Sequence, residues 1–206
     1  MRLAYIDHYD SFTHNLLDWL TQPDSQGRTL AYELIPYDGI PPSLPLTPLV
    51  LSPGPGSPDQ LMDSSLALAQ RALGKVPILG VCLGHQILSV MAGLRVGRSQ
   101  SPLHGATKTV HRSPGEGGAF DSWQTPVKAA SYHSLAAFKT PTKPGWQVSL
   151  TDSQDEIQGL EFCPGMVHTA IGVQFHPESF LSDPEPMALL KDYWNQTVFR
   201  FFESQL

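Results

Sequence analysis

Pro77-Ile78-Leu79-Gly80-Val81-Cys82-Leu83-Gly84-His85-Gln86 decides how this 206-residue chain is read. Residues 77–81 form an unbroken apolar run, as expected of a strand buried on both faces of a parallel sheet. Helical periodicity takes over at 85–92. Between them stands Gly80-x-Cys82-x-Gly84, the thiol form of a nucleophile elbow, in which a tight strand-to-helix turn pushes the nucleophile into the open. The flanking glycines are needed because a Cβ there would collide with the neighbouring strand or helix. The following helix offers its N-terminal N–H groups and dipole, which favour a thiolate and a developing oxyanion. A lone cysteine is usually a buried core residue, but the glycine frame at a strand end reverses that reading for Cys82. Cys163, in Glu161-Phe162-Cys163-Pro164-Gly165, has no such frame and reads as structural.

Outward from the elbow the chain alternates strand and helix. Residues 3–6 are a short apolar strand ending in Asp7-His8-Tyr9-Asp10-Ser11. Phe12, Leu16, Leu17 and Leu20 then follow helical spacing, with Ser11 as the expected N-cap. Asp7, Asp10 and Ser11 either cap this helix or position a partner, and capping is preferred. Further strands are expected at 32–37 and 46–51 and a helix at 61–73. This is the pattern of βαβ units and a parallel sheet. The stretch 94–160 changes to Thr/Val/His alternation with Pro and Gly breaks, suited to antiparallel strands. A return strand at 172–175 and a closing helix at 185–202 complete the chain. The expected fold is α/β: a mostly parallel central sheet flanked by helices, with a smaller antiparallel sheet, in a single domain spanning 1–206. Residues 36–48 and 113–118 read as loops.

Composition narrows the function. With 13 Lys+Arg against 19 Asp+Glu the formal charge is −6, and a negative surface does not attract nucleic acid or anionic lipid. Two distant cysteines make no disulfide framework. The N-terminus reads as a strand rather than a signal peptide, and no run approaches a membrane span, so the cytoplasm is the expected location.

A thiol nucleophile needs a base, and the base an orienting group. Both are offered by Gln174-Phe175-His176-Pro177-Glu178-Ser179, just after the return strand. His176 can take the thiol proton and later give it to a leaving amine, while Glu178 holds the far imidazole nitrogen. His-x-Glu alone says little; its weight comes from standing at a strand end, as Cys82 does, because C-terminal ends of parallel strands share one rim. Ser52-Pro53-Gly54-Pro55-Gly56-Ser57-Pro58 follows another strand. Such a loop can aim the Gly54 N–H at an oxyanion, with the Leu83 N–H as second donor. His104, His111, His133 and His168 show no metal-ligand spacing, so no metal site is expected. His85 follows the nucleophile on its helix and reads as a packing or interface residue. The four tryptophans and the aromatic cluster at 199–202 read as core.

The elbow, the loop at 53–58 and Phe175-His176-Pro177-Glu178-Ser179 together resemble the class I, triad-type glutamine amidotransferases. The opening Asp7-His8-Tyr9-Asp10-Ser11-Phe12-Thr13-His14-Asn15 is similar to the branch that serves chorismate-using synthases, anthranilate synthase component II and the aminodeoxychorismate synthase amidotransferase. The resemblance runs essentially end to end. It implies a γ-glutamyl thioester on Cys82, a triad completed by His176 and Glu178, and an oxyanion hole from Gly54 and Leu83. It implies glutamine binding by Gly56, Gln86 and Tyr132-His133-Ser134-Leu135. The implied partner is a chorismate-binding synthase subunit in a hetero-oligomer; magnesium belongs to that partner, and this chain needs no cofactor. The sequence departs from the family pattern at Ser131, where Arg is common, at Ala106 of His104-Gly105-Ala106, where Lys is common, and at His8, where Asn is usual. The competing readings are a stand-alone cysteine hydrolase of γ-glutamyl substrates and a non-catalytic relative, against which the intact Cys82, His176 and Glu178 argue.

Overall fold

The computed structural model describes residues 2–113, 118–165 and 169–205. His168 and residues 114–117 of the loop read at 113–118 lie outside the described residues.

Side chains alternate across a strand, so a strand covered on both faces feeds two cores. In β1 (Arg2–Asp7), Leu3 and Tyr5 join one cluster with Leu16 and Leu20 of α1 (Thr13–Thr21) and Leu190 and Trp194 of α4 (Pro184–Glu203). Ala4 and Ile6 join the other, with Leu68 and Ala72 of α2 (Ala67–Ala72) and Ile87 and Leu88 of α3 (Leu83–Met91). The same split recurs in β3 (Leu49–Leu51) and β4 (Ile78–Val81), where Val50, Leu79 and Val81 face the first core and Leu49, Leu51 and Ile78 the second. Helices therefore cover both faces.

The remaining strands are β2 (Ala31–Pro36), β5 (Arg95–Arg112), β6 (Val127–Phe138), β7 (Trp146–Asp152), β8 (Glu156–Phe162) and β9 (Ala170–Val173). All belong to one nine-stranded sheet in the order β2-β1-β3-β4-β9-β8-β6-β5-β7. From β2 to β9 neighbours are parallel. At β9 the direction reverses, Gly159 pairing with Val173, and the other pairs are antiparallel. The expectation of a mostly parallel sheet with a separate smaller one is thus corrected. The antiparallel strands extend the same sheet, and among the described residues four strand pairs are parallel and five antiparallel. β8 takes the edge that β9 would otherwise leave unpaired, and β7 pairs with both β5 and β8, so the antiparallel strands curl back on themselves.

Two local expectations also change. Phe12, not Ser11, stands at the N-cap of α1 and makes no side-chain cap. The turn is held instead by Asp10, whose Oδ1 accepts from Phe12 N at 2.7 Å, and by Asp7, whose Oδ1 accepts from Thr13 Oγ1 at 2.7 Å. The helix expected at 61–73 is divided into a 3-10 turn (Pro58–Leu61), a π-helical turn (Met62–Leu66) and α2. Ser57 and Gln60 form a capping box at its start.

Candidate active site

The parallel strands end at one rim, and β1, β3, β4 and β9 each deliver a polar segment to it. Cys82 directly follows β4 at φ 51° and ψ −100°, a left-handed conformation that costs a non-glycine residue about 1–3 kcal/mol. The surroundings over-determine it. Cys82 N donates to Val173 O at 2.9 Å, and a Cβ on Gly84 would strike the backbone carbonyl of Leu51, so α3 can only start this close to β3 with glycine there.

His176 lies two residues beyond Gln174 at the end of β9. Its N–H donates to Ala130 O at 3.0 Å and its carbonyl accepts from Ser182 Oγ at 2.9 Å, which ties the loop to β6. Nδ1 meets Glu178 Oε1 at 2.6 Å, leaving Nε2 for the thiol. The rings of Phe12 and Tyr132 pack against the imidazole at 5.5 and 5.1 Å. Burial pulls the His176 pKa down, but hydrogen bonds to Cys82 and Glu178, with their charges, outweigh it and hold it up at about 10. The imidazole is therefore poised as an imidazolium beside sulfur.

The loop after β3 is anchored by His8. His8 Nδ1 lies 3.0 Å from the carbonyl of Ser52, which can only accept, so this nitrogen carries the proton and Nε2 accepts from Ser65 Oγ at 2.8 Å. Burial lowers the His8 pKa to about 4, consistent with this neutral tautomer. Gly54 passes so close to His8 that a Cβ would overlap it.

A cavity of about 170 Å³ opens beside the thiol. Its lining includes Cys82, Gly54, Gly56, Gln86, Tyr132, His133, Ser134 and Leu135, all expected from the sequence, together with Pro55 and His104. His104 is not among the site residues expected from the sequence; its position follows from the long strand β5, which crosses β6 with His104 opposite Tyr132. Leu83 lines an adjoining cavity of about 350 Å³ that shares Pro55 and Gly56. His176 and Glu178 sit behind Cys82 and are almost wholly buried. The structure therefore brings every expected site residue to one place.

Two features escaped the sequence reading. Beneath His133, the Lys108 ammonium is buried and paired with Asp152 at 2.9 Å and Glu156 at 2.6 Å. Burial raises the Glu156 carboxyl, but Lys108, Gln100 N–H and Ser99 outweigh it and hold it below the usual range. Burial, then the charge of Lys108, pushes the His133 pKa down to about 4, and His133 Nδ1 donates to Leu135 O at 2.8 Å. The second feature is Gln174, fully buried with Nε2 3.7 Å from Cys82 Sγ. Ala106 and Ser131, two departures from the family pattern, are direct cross-strand partners in β5 and β6. His85 is buried among helix and sheet against Gly172, a packing residue. The Cys163 thiol is half-buried and donates to Gly165 O at 2.9 Å. Among the described residues no group of His, Cys, Asp and Glu is placed to hold a metal ion, and no helix is long and apolar enough to cross a membrane.

Known proteins are similar to this chain in sequence and in fold. The family model for glutamine amidotransferase class-I matches residues 4–195. Anthranilate synthase component 2 of Pseudomonas aeruginosa is 35% identical over 88% of this chain and 89% of its own. Aminodeoxychorismate synthase component 2 of Serratia marcescens is 35% identical over 94% of this chain and 100% of its own. The bifunctional protein TrpGD of Thermotoga maritima is 34% identical over 94% of this chain, which spans only 32% of that longer protein. Among solved structures, a glutamine amidotransferase of Thermotoga maritima superposes with a TM-score of 0.66 at 18% identity, covering 100% of this chain and 85% of its own, a likeness of fold alone. The chain belongs to the class-I glutamine amidotransferases.

Proposed function

We propose that this chain hydrolyses glutamine at Cys82 and delivers the ammonia to a chorismate-binding synthase subunit, which makes anthranilate or 4-amino-4-deoxychorismate. The observation that carries the reading is the thiol, imidazole and carboxylate aligned at a strand rim, with the thiol facing a small cavity of polar and backbone groups. The partner is suggested by the relatives, which are component 2 proteins of two such synthases.

In this mechanism the Cys82 thiolate attacks the side-chain carbonyl of glutamine. Leu83, first residue of α3, has a backbone N–H with no intrahelical acceptor and supplies one oxyanion donor; Gly54 supplies the other, each donor being worth about 3–4 kcal/mol. As the tetrahedral adduct collapses, the C–N bond breaks and the imidazolium of His176 protonates the departing nitrogen. Water then attacks the γ-glutamyl thioester with His176 as base, and sulfur leaves as thiolate. Glu178 keeps the tautomer and steadies the imidazolium. Gln86 Nε2 donates to Leu135 O and Gln174 Oε1, both at 3.2 Å, so the atom Gln86 has left for the cavity is its oxygen, an acceptor for the α-ammonium of an amino acid.

The test is to capture the partner with the native chain and assay the complex with chorismate and glutamine. An aminated aromatic product or aminodeoxychorismate is expected. Cys82→Ala should lower glutamine-dependent synthesis about 10⁴-fold or more while leaving synthesis from free ammonia intact. Glutamine-dependent synthesis that survives Cys82→Ala excludes Cys82 as the nucleophile. Full glutaminase turnover by a chain that captures no synthase makes it a stand-alone hydrolase.

A further inference from the structure

Gln174 faces sulfur, and the surrounding hydrogen bonds decide which end of its amide does so. Leu135 O can only accept, so the end of Gln86 that meets it at 3.2 Å is Nε2. The second hydrogen of that nitrogen points to Gln174 at 3.2 Å and requires an acceptor, which fixes Oε1 of Gln174 on that side. Turning the Gln174 amide over would set two donors against each other. Its Nε2 is therefore held toward Cys82 Sγ at 3.7 Å. The backbone gives no slack, because Gln174 N, one residue past β9, donates to Gln158 O of β8 at 3.0 Å, and the side chain is fully buried.

We infer that Gln174 is a thiolate donor: its Nε2–H stabilises sulfur as an anion before attack and again when sulfur leaves the thioester, with Gln86 locking the amide that presents it. A donor aimed at an anion in a buried site is stronger than one between neutral groups. His176 supplies the charge and the proton, and Gln174 supplies a second contact that moves no proton. The chain of amides runs from sulfur through Gln174 to Gln86 on the cavity wall, so an occupant of the cavity that donates to the Gln86 oxygen acts on the same hydrogen bonds.

This inference rests on Cys82 being the nucleophile, and the experiment separates the two claims. The purified chain is alkylated with iodoacetamide across pH, and modification of Cys82 and Cys163 is resolved by peptide mass spectrometry. In the native chain Cys82 is expected to react far faster than Cys163 at neutral pH. Gln174→Met, similar in length but without the donor, should move the midpoint of the Cys82 profile upward by about one pH unit, roughly tenfold in thiolate. Gln174→Glu keeps the shape and the acceptor for Gln86 and should move it at least as far. An unmoved midpoint in a folded Gln174→Glu chain overturns the inference while leaving the nucleophile in place. Loss of the fold in both variants also overturns it, marking Gln174 as a packing residue. Native Cys82 no more reactive than Cys163 overturns the nucleophile assignment itself.

Discussion

The two halves of the sheet hold their share of the site by different means. In β1–β4 and β9 the site residues stand at the ends of strands packed on both faces by apolar side chains, and Cys82 is kept in its strained turn by that packing. In β5–β8, Tyr132, His133, Ser134 and Leu135 lie in a strand braced from below by Lys108, Asp152 and Glu156, three buried charges. An apolar core loses stability by increments when trimmed. A buried ion cluster fails at once when one member is removed, because the others are left unpaired. The nucleophile is thus mounted on the tolerant half, and the cavity wall formed by Tyr132, His133, Ser134 and Leu135 on the brittle one.

The largest effects on that contrast come from the residues that bridge the halves. His176 is on the parallel side but is tied to Ala130 of β6. His176→Ala is expected to reduce glutamine-dependent turnover by about 10³-fold or more, and Glu178→Ala by about 10²-fold, since Glu178 orients without moving a proton. Steady-state rates compare the two, and equal losses would show that Glu178 does more than orient.

The next effect separates the halves directly. Lys108→Met keeps the side-chain length and leaves Asp152 and Glu156 without their cation. It should lower stability by about 3–5 kcal/mol in thermal or urea unfolding. A loss below about 1 kcal/mol would remove the brittleness argued for the antiparallel half.

The smallest effect is titration. His8, His85 and His133 are each lowered to about 4, burial being the largest cause, so the fold holds them neutral. Between their folded values and the unfolded value of about 6.5 the unfolded chain binds more protons. Their contribution is complete above about pH 6.5 and is lost as pH falls toward 4. His176, raised to about 10, has the opposite sign: its contribution is complete below about pH 6.5 and is lost as pH rises through 10. Urea unfolding across pH should show both limbs, and His133→Gln should flatten the acid one. An unchanged acid limb in that variant would mean that burial does not hold His133 neutral.

The sequence by itself determined the elements whose cause is local. The apolar run at 77–81 and the glycines around Cys82 announce a buried strand and an elbow, because backbone sterics and side-chain periodicity act over a few residues. The His176–Glu178 pair was legible for the same reason, lying two residues apart on one loop. Only the tertiary structure decided the rest. Lys108 meets Asp152 and Glu156 across 44 and 48 residues, and Gln174 meets Cys82 across 92, separations over which no spacing rule operates. Whether the antiparallel strands formed their own sheet or extended the parallel one depended on which strand took the open edge of β9. That choice is made by hydrogen bonds between distant segments, while alternation within a strand tells only which side chains face inward.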